Sequence, residues 1–386
     1  MDLAERIERR LNHRFEDRLV VDWDPLSPAV HLPEPVGREF VFEALLDAID
    51  PVFDGDVPPD VYVHGPSGSG KSAIVTALVS VLQEQLSSSR NAIHTATRAD
   101  NLAPDFGVSY VDARRTSSEF QLYHSLLDAL VTDRIPDRGI GTAELERRLR
   151  EQLGYVDGVV VVVDHLDEPG TLSPTAVANF FASFETVSWL GVSRTPPGET
   201  AAAPVQTVEV PSYNYEIIDI LTTRGAAGLS KGLDHSKAKD LAEWADGNAH
   251  DALAALFGAV AVADDAGRTD LDQAAIERGK ESVPDDTIHI GRVLALPENK
   301  QEVLYALLQI DTDEDHSIEE VSELLAERTD LSQGTIRRYI YELAKIGVLE
   351  RQEVAVGLGS AGRRPSAVSP KFPTLVYERL HGDTEE

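Results

Sequence analysis

Eight consecutive residues, Gly65-Pro66-Ser67-Gly68-Ser69-Gly70-Lys71-Ser72, restrict the possible folds of this chain more than any other stretch. They fit the pattern G-x-x-x-x-G-K-[ST] in full. The apolar run Val61–His64 before them reads as a strand, and Ile74, Leu78 and Leu82 after them fall on one face of a helix. That flanking context is what the pattern requires to be meaningful. A loop between such a strand and helix folds its backbone N–H groups around a polyphosphate, and the helix N-terminus adds partial positive charge. Lys71 is expected to reach the β and γ phosphates, Ser72 to ligate Mg²⁺, and Ala73 to complete the seat. ATP or ADP with Mg²⁺ is therefore the expected ligand.

The surrounding text suits that motif. From Val36 to about Pro211, short apolar strands alternate with amphipathic helices; the strands are Val61–His64, Val108–Val111, Val159–Val163, Trp189–Val192 and Val205–Val210. Five unbroken valines at 159–163 indicate a strand buried on both faces, as in the middle of a parallel sheet. The alternation predicts a three-layer α/β domain over residues 35–212. Four consecutive helices follow in residues 213–285, and a third pattern of three helices and a hairpin fills 297–381. Residues 1–34 form an N-terminal extension in which Leu3, Ile7 and Leu11 recur at helical spacing.

A second acidic element should stand at the end of a buried strand to hold the metal side of the nucleotide. Asp164, directly after the valine run, is that residue, and His165 follows it. The imidazole of His165 could act as a base near neutral pH or be a non-catalytic replacement.

The last domain reads as a winged helix-turn-helix. Ser317-Ile318-Glu319-Glu320 is a capping box, Ser332 caps the third helix, and Gly347 ends it. Ile336, Ile340 and Leu343 face inward, while Arg337, Tyr341 and Lys345, with Arg338 beside them, form an outer face suited to a major groove. Arg363 and Arg364 lie at the expected wing tip, where they could reach a minor groove or phosphates. Between Leu331 and His381, eight positive residues face four negative ones, a local charge of +4 in a chain of −31. Double-stranded DNA is the expected partner.

Composition bounds the setting. Only eight of the 35 basic residues are lysine, against 66 acidic ones. This suits either concentrated salt, where self-repulsion is screened, or an ordinary acidic protein. The absence of cysteine excludes disulfides and thiol chemistry. No apolar run approaches the ~20 residues of a membrane span, so a cytoplasmic protein is expected.

Taken in order, these segments resemble the archaeal replication initiators related to the origin recognition complex and cell-division-control proteins, which are AAA+ ATPases. Pro35-Val36-Gly37-Arg38-Glu39 is similar to the family's box beside the adenine, and Tyr110-Val111-Asp112 to its second strand. Val210-Pro211-Ser212-Tyr213 with Ile220-Leu221-Thr222-Thr223-Arg224 resembles the start of its lid. Gly247-Asn248-Ala249-His250-Asp251-Ala252-Leu253 resembles the sensor-2 segment, and Leu296-Pro297 before Val303-Leu304 the approach to the winged helix. The resemblance implies a three-layer AAA+ P-loop ATPase domain with helical lid and winged helix. It implies nucleotide contacts at Val36, Gly37, Arg38, the Gly65–Ala73 loop, Tyr213 and His250. Origin-like DNA repeats, other initiator subunits and a replicative helicase are the implied partners.

Departures from the family pattern gather on hydrolysis. The glutamate after the Walker B aspartate is His165, sensor 1 is Arg194, the sensor-2 arginine is His250, and no convincing arginine finger lies between Thr195 and Gln206. An arginine finger alone can contribute ~10³–10⁵ in rate, although Arg194 could approach the γ-phosphate and compensate. Nucleotide binding with slow or absent turnover is the expectation. The Ser193-Arg194 pair also resembles signal-transduction ATPases with numerous domains. A nucleotide-gated regulator of transcription or signalling, or a module that contacts mainly proteins, are the alternatives.

Overall fold

The structure is a computed structural model that describes residues 18–93, 105–116, 118–131, 135–136, 139–197, 206–310, 316–353 and 366–382. The expected helix of Leu3, Ile7 and Leu11, and the wing-tip residues Arg363 and Arg364, lie outside the described residues. The chain divides into two compact units, one spanning 31–216 and the other combining the segment before residue 31 with the part after Glu216.

The first unit is built on five strands: β1 (Val61–His64), β2 (Phe106–Asp112), β3 (Gly158–Asp164), β4 (Val187–Ser193) and β5 (Gln206–Glu209). Their order is β2-β3-β4-β1-β5, and every pairing is parallel. The valine run explains the central position of β3, because both its faces need apolar cover. Val160 and Val162 pack with Val41 and Leu45 of α1 (Glu39–Ile49) and with Ile74 and Leu78 of α2 (Lys71–Ile93). On the other face, Val159, Val161 and Val163 meet helices α3 (Glu119–Leu130), α4 (Thr142–Leu153) and α5 (Pro174–Phe181) through Leu122, Leu126, Leu145, Leu149 and Phe181. The result is the expected three-layer sheet. β1 sits between β4 and β5 while its successor β2 lies at the far edge, so the loop after β1 opens at the carboxyl ends of the strands, where α/β sheets bind ligands.

The second unit is helical: α6 (Glu216–Gly228), α7 (His235–Ala245), α8 (Ala249–Asp265), α9 (Gln273–Glu281), α10 (Ile290–Leu294), α11 (Glu298–Leu308), α12 (Ile318–Ala326) and α13 (Gln333–Lys345). An antiparallel pair, β6 (Leu349–Glu353) and β7 (Ser366–Pro370), and a last helix α14 (Thr374–Gly382) complete it. α8 is apolar around its whole circumference and nearly every residue is buried, so it serves as the core that the others surround. The elements from α11 to β7 follow the order expected of a winged helix. Ser317 and Glu320 form the capping box, Ser332 accepts from the Thr335 N–H, and Gly347 takes the left-handed conformation with φ +76°.

The N-terminal extension, the lid and the C-terminal module are read from the sequence as separate domains; their described residues fall in one compact unit and meet at two junctions. Arg224 explains the first junction. Its buried guanidinium donates to the carbonyls of Pro25 and Ser27 at 3.0 and 3.1 Å and of Val30 at 2.8 Å. Val20 bridges Leu229, and the Trp23 ring lies 5.0 Å from that of Phe257 in α8. Arg379 of α14 explains the second junction. It bonds Asp264 and Asp265 at the end of α8 and stacks over Trp23 at 4.5 Å.

Candidate functional site

The loop after β1 is shaped by close backbone approach. A Cβ on Gly65 would stand 2.0 Å from the Val210 carbonyl oxygen, and one on Gly70 would stand 2.4 Å from the Tyr213 hydroxyl. Gly68 and Gly70 both have positive φ, +67° and +86°, which side chains rarely adopt. Lys71 opens α2 and is buried, its ammonium donating to the carbonyls of Gly65 at 2.7 Å and Pro66 at 2.6 Å. Burial pushes its pKa down to about 8, against the opposing pull of Asp164 and Asp167. Pro66 and Ser67 are exposed at the loop tip, Ser69 is buried, and Ser72 and Ala73 are half-buried on the first turn of α2.

The segment expected beside the adenine lies against this loop. Gly37, with φ +68°, allows the chain to pass Glu216, whose Cγ a Cβ would meet at 2.8 Å. Next to it, Arg38 is buried and donates to the carbonyls of Ser69 and Pro211, both at 2.9 Å. Its guanidinium lies 3.5 Å from the centre of the Tyr213 ring. One cation thus joins the phosphate loop to the strand exit that leads into α6. Val36 is half-buried beside it.

Asp164 ends β3 with a side chain only 1% exposed. Its Oδ1 accepts the His165 N–H at 2.7 Å, and its Oδ2 accepts the Tyr110 hydroxyl at 3.0 Å. His165 has φ +65°, and its Nε2 stands 3.5 Å from the same Asp164 Oδ2. The imidazole lies against the carboxylate. Arg194, at the end of β4, is ion-paired to Asp167 through its Nε, so the expected compensating cation already has a carboxylate partner. Asp112, directly opposite Asp164 in the β2–β3 register, is gripped by Arg114 through contacts of 2.7–3.1 Å. Burial raises the Asp112 pKa, but the Arg114 hydrogen bonds outweigh it and hold the carboxyl low.

These residues fit a Mg²⁺–nucleotide. The glycine cradle is one that a Cβ would fill, and a hydroxyl with a buried carboxylate is the hard-oxygen set that Mg²⁺ takes alongside phosphates. Sequence reasoning missed Tyr110 and Asp112 as neighbours of Asp164. The signal available was parity, since Tyr110 and Asp112 share an alternating face with Asp164 once β2 and β3 pair in parallel.

On α13, Ile336, Ile340 and Leu343 are buried as expected, and Arg337, Arg338, Tyr341 and Lys345 are exposed. Tyr341 and Lys345 line a pocket of about 330 Å³ with Glu350, Arg351 and Lys371, and the Arg351 guanidinium sits 5.2 Å from the Tyr341 ring centre. Arg351 and Lys371 therefore join this face, whereas Arg379 faces α8. Arg338 lies 3.8 Å from Glu342.

Residues 34–191 match the AAA ATPase domain family. The chain is 24% identical over 370 residues to an ORC1-type DNA replication protein 1 of Sulfolobus acidocaldarius, covering 89% of this chain and 87% of that one. It is 24% identical over 386 residues to the ORC1-type DNA replication protein 8 of Halobacterium salinarum, covering 89% and 92%. The Aeropyrum pernix ORC1 protein, solved in complex with DNA, shares the fold with a TM-score of 0.60 at 20% identity, covering 95% of this chain and 97% of that one. Over most of its length the chain is thus similar to archaeal ORC1-type replication proteins, with an AAA ATPase domain in its first half.

His250 was read as the sensor-2 contact to nucleotide. Its ring is buried, its Nε2 accepts the Ile290 N–H at 3.1 Å, and its Nδ1 pairs with Asp251 at 3.0 Å. The His289 ring lies 4.0 Å away, and its Nδ1 caps α10 by accepting from Gly291. Both ring nitrogens of His250 are engaged within the helical unit, where they fasten α8 to α10. Among the described residues, no helix is long and apolar enough to cross a membrane.

Proposed function

We propose that this protein binds ATP or ADP with Mg²⁺ and duplex DNA carrying origin-like repeats, and acts at replication origins as a nucleotide-controlled switch with weak or absent hydrolysis. The nucleotide would be held by the Gly65–Ala73 loop, with Lys71 on the phosphates, Ser72 and Asp164 on the metal side, and Val36, Gly37, Arg38 and Tyr213 lining the adenine end. Mg²⁺, when bound, neutralises phosphate charge; the chain's own residues fix the tail in place and exclude water around Lys71.

The observation that carries the switch is Arg38. It is bonded at once to the phosphate loop and to the Pro211–Tyr213 segment that leads into the helical unit. A change in the loop's shape on loss of a phosphate would be felt directly at that joint. Slow turnover follows from His165 leaning on Asp164 and Arg194 pairing with Asp167.

The DNA half rests on the exposed face of α13 with Arg337, Arg338, Tyr341 and Lys345, extended by Arg351 and Lys371, in a chain that is otherwise strongly acidic. Arg363 and Arg364 would act at the wing tip. Other initiator subunits or a replicative helicase would be the protein partners.

Genome-wide mapping of the bound protein in its own cells, with calorimetry of Mg-ATP binding, tests the reading. Occupancy of a repeat-rich origin with nucleotide-dependent affinity is expected. Enrichment at promoters would make it a transcriptional regulator, and no DNA affinity at matched salt would leave a protein-binding module.

A further inference from the structure

We propose that Tyr110 is a positioning residue that fixes the Asp164 carboxylate for the metal side of the nucleotide. This rests on the reading of Asp164 and the Gly65–Ala73 loop as a Mg²⁺–nucleotide site, and it assigns a role to a side chain outside that set.

The parallel register sets Tyr110 of β2 opposite Val162 of β3, and Asp112 opposite Asp164. The Tyr110 ring packs with the apolar cluster that includes Val160 and Val162, so its hydroxyl projects along the sheet face toward the strand ends. There it donates to Asp164 Oδ2 at 3.0 Å while the His165 N–H donates to Oδ1 at 2.7 Å. One donor on each oxygen fixes rotation about the carboxylate's own axis. A carboxylate oxygen accepts more than one bond, so each keeps capacity for Mg²⁺ or a water on it. A buried charge also needs such donors, because water is not there to supply them.

One neighbour keeps the arrangement in one state. Arg114 occupies Asp112 with three contacts, which keeps that carboxylate from competing for the hydroxyl. Groups that orient a metal ligand from behind typically change metal affinity about 10–100-fold when lost.

The test uses the full chain and a fluorescent ATP analogue, with affinity measured in EDTA and across a Mg²⁺ titration. In Tyr110→Phe the affinity in EDTA should stay within about twofold, while the Mg²⁺ concentration for half-maximal enhancement rises about tenfold. A merely structural role would move both together. Replacement of Tyr110 by 4-aminophenylalanine, which keeps a donor in place, should restore most of the loss. If Tyr110→Phe did not fold, 4-methylphenylalanine would serve as the donorless variant, since it fills the hydroxyl's space. An unchanged Mg²⁺ dependence in a folded donorless variant, or no rescue by the amino analogue, overturns the proposal while leaving the nucleotide reading intact. No Mg²⁺ enhancement in the wild type, or full enhancement in Asp164→Asn, overturns the underlying reading and the proposal with it.

Discussion

The phosphate loop and the ends of β3 and β4 differ in how far each keeps what a nucleotide enzyme needs. At the loop, every residue of the motif is present, and its glycines stand where a Cβ would strike Val210 or Tyr213. At the strand ends, the side chains that would act on water or on the leaving phosphate are turned to each other: His165 to Asp164, and Arg194 to Asp167. Gripping a triphosphate requires backbone geometry and one buried cation. Cleaving it requires charges held free and aimed at the transition state. On the proposed reading, the contrast means that the two abilities are separable in this fold.

The comparison breaks most sharply at Lys71. Lys71→Ala should reduce ATP affinity by at least about a hundredfold, the scale of losing a desolvated charge-assisted contact; calorimetry showing unchanged binding would refute the loop assignment. Gly65→Ala should come close to that effect, since its methyl would lie on the Val210 carbonyl, and the same titration reports it. Turnover sharpens the other side. Purified protein with Mg-ATP should release phosphate far below ~1 s⁻¹, the low end for phosphoryl-transfer enzymes, and a brisk rate would mean His165 or Arg194 leaves its carboxylate during the reaction. Arg337→Ala with Lys345→Ala should weaken duplex binding about tenfold and reduce its salt slope by about two, with ATP affinity unchanged. Anisotropy over a KCl series checks this. The smallest effect is expected for Arg194→Ala, which should move nucleotide affinity no more than about threefold because the cation is already engaged with Asp167.

What the sequence made legible was local. The motif at 65–72 carries its own geometry, the valine run fixes a central strand, and Ser317, Ser332 and Gly347 mark helix ends by chemistry within a few residues. Strand limits shifted by up to two residues, as at β2, where Phe106 and Asp112 extend the run expected at 108–111. What stayed hidden depends on partners far along the chain. Arg224 reaches carbonyls nearly two hundred residues earlier, and His250 accepts from an amide forty residues on. Arg379 entered the local charge count of the last domain, and Asp264 and Asp265 hold it. A long cationic side chain can satisfy itself in many ways, and only the packed fold selects one. Tyr110 belongs to the same class, because its contact with Asp164 exists only once the strand register is known.

Because the helical unit takes in both the arm before residue 31 and everything after Glu216, the α/β unit is an insertion within it, and the polypeptide crosses from one to the other twice. A protease cutting between Val30 and His31 would free neither piece: the second crossing remains covalent, and the severed arm stays stitched in by Arg224.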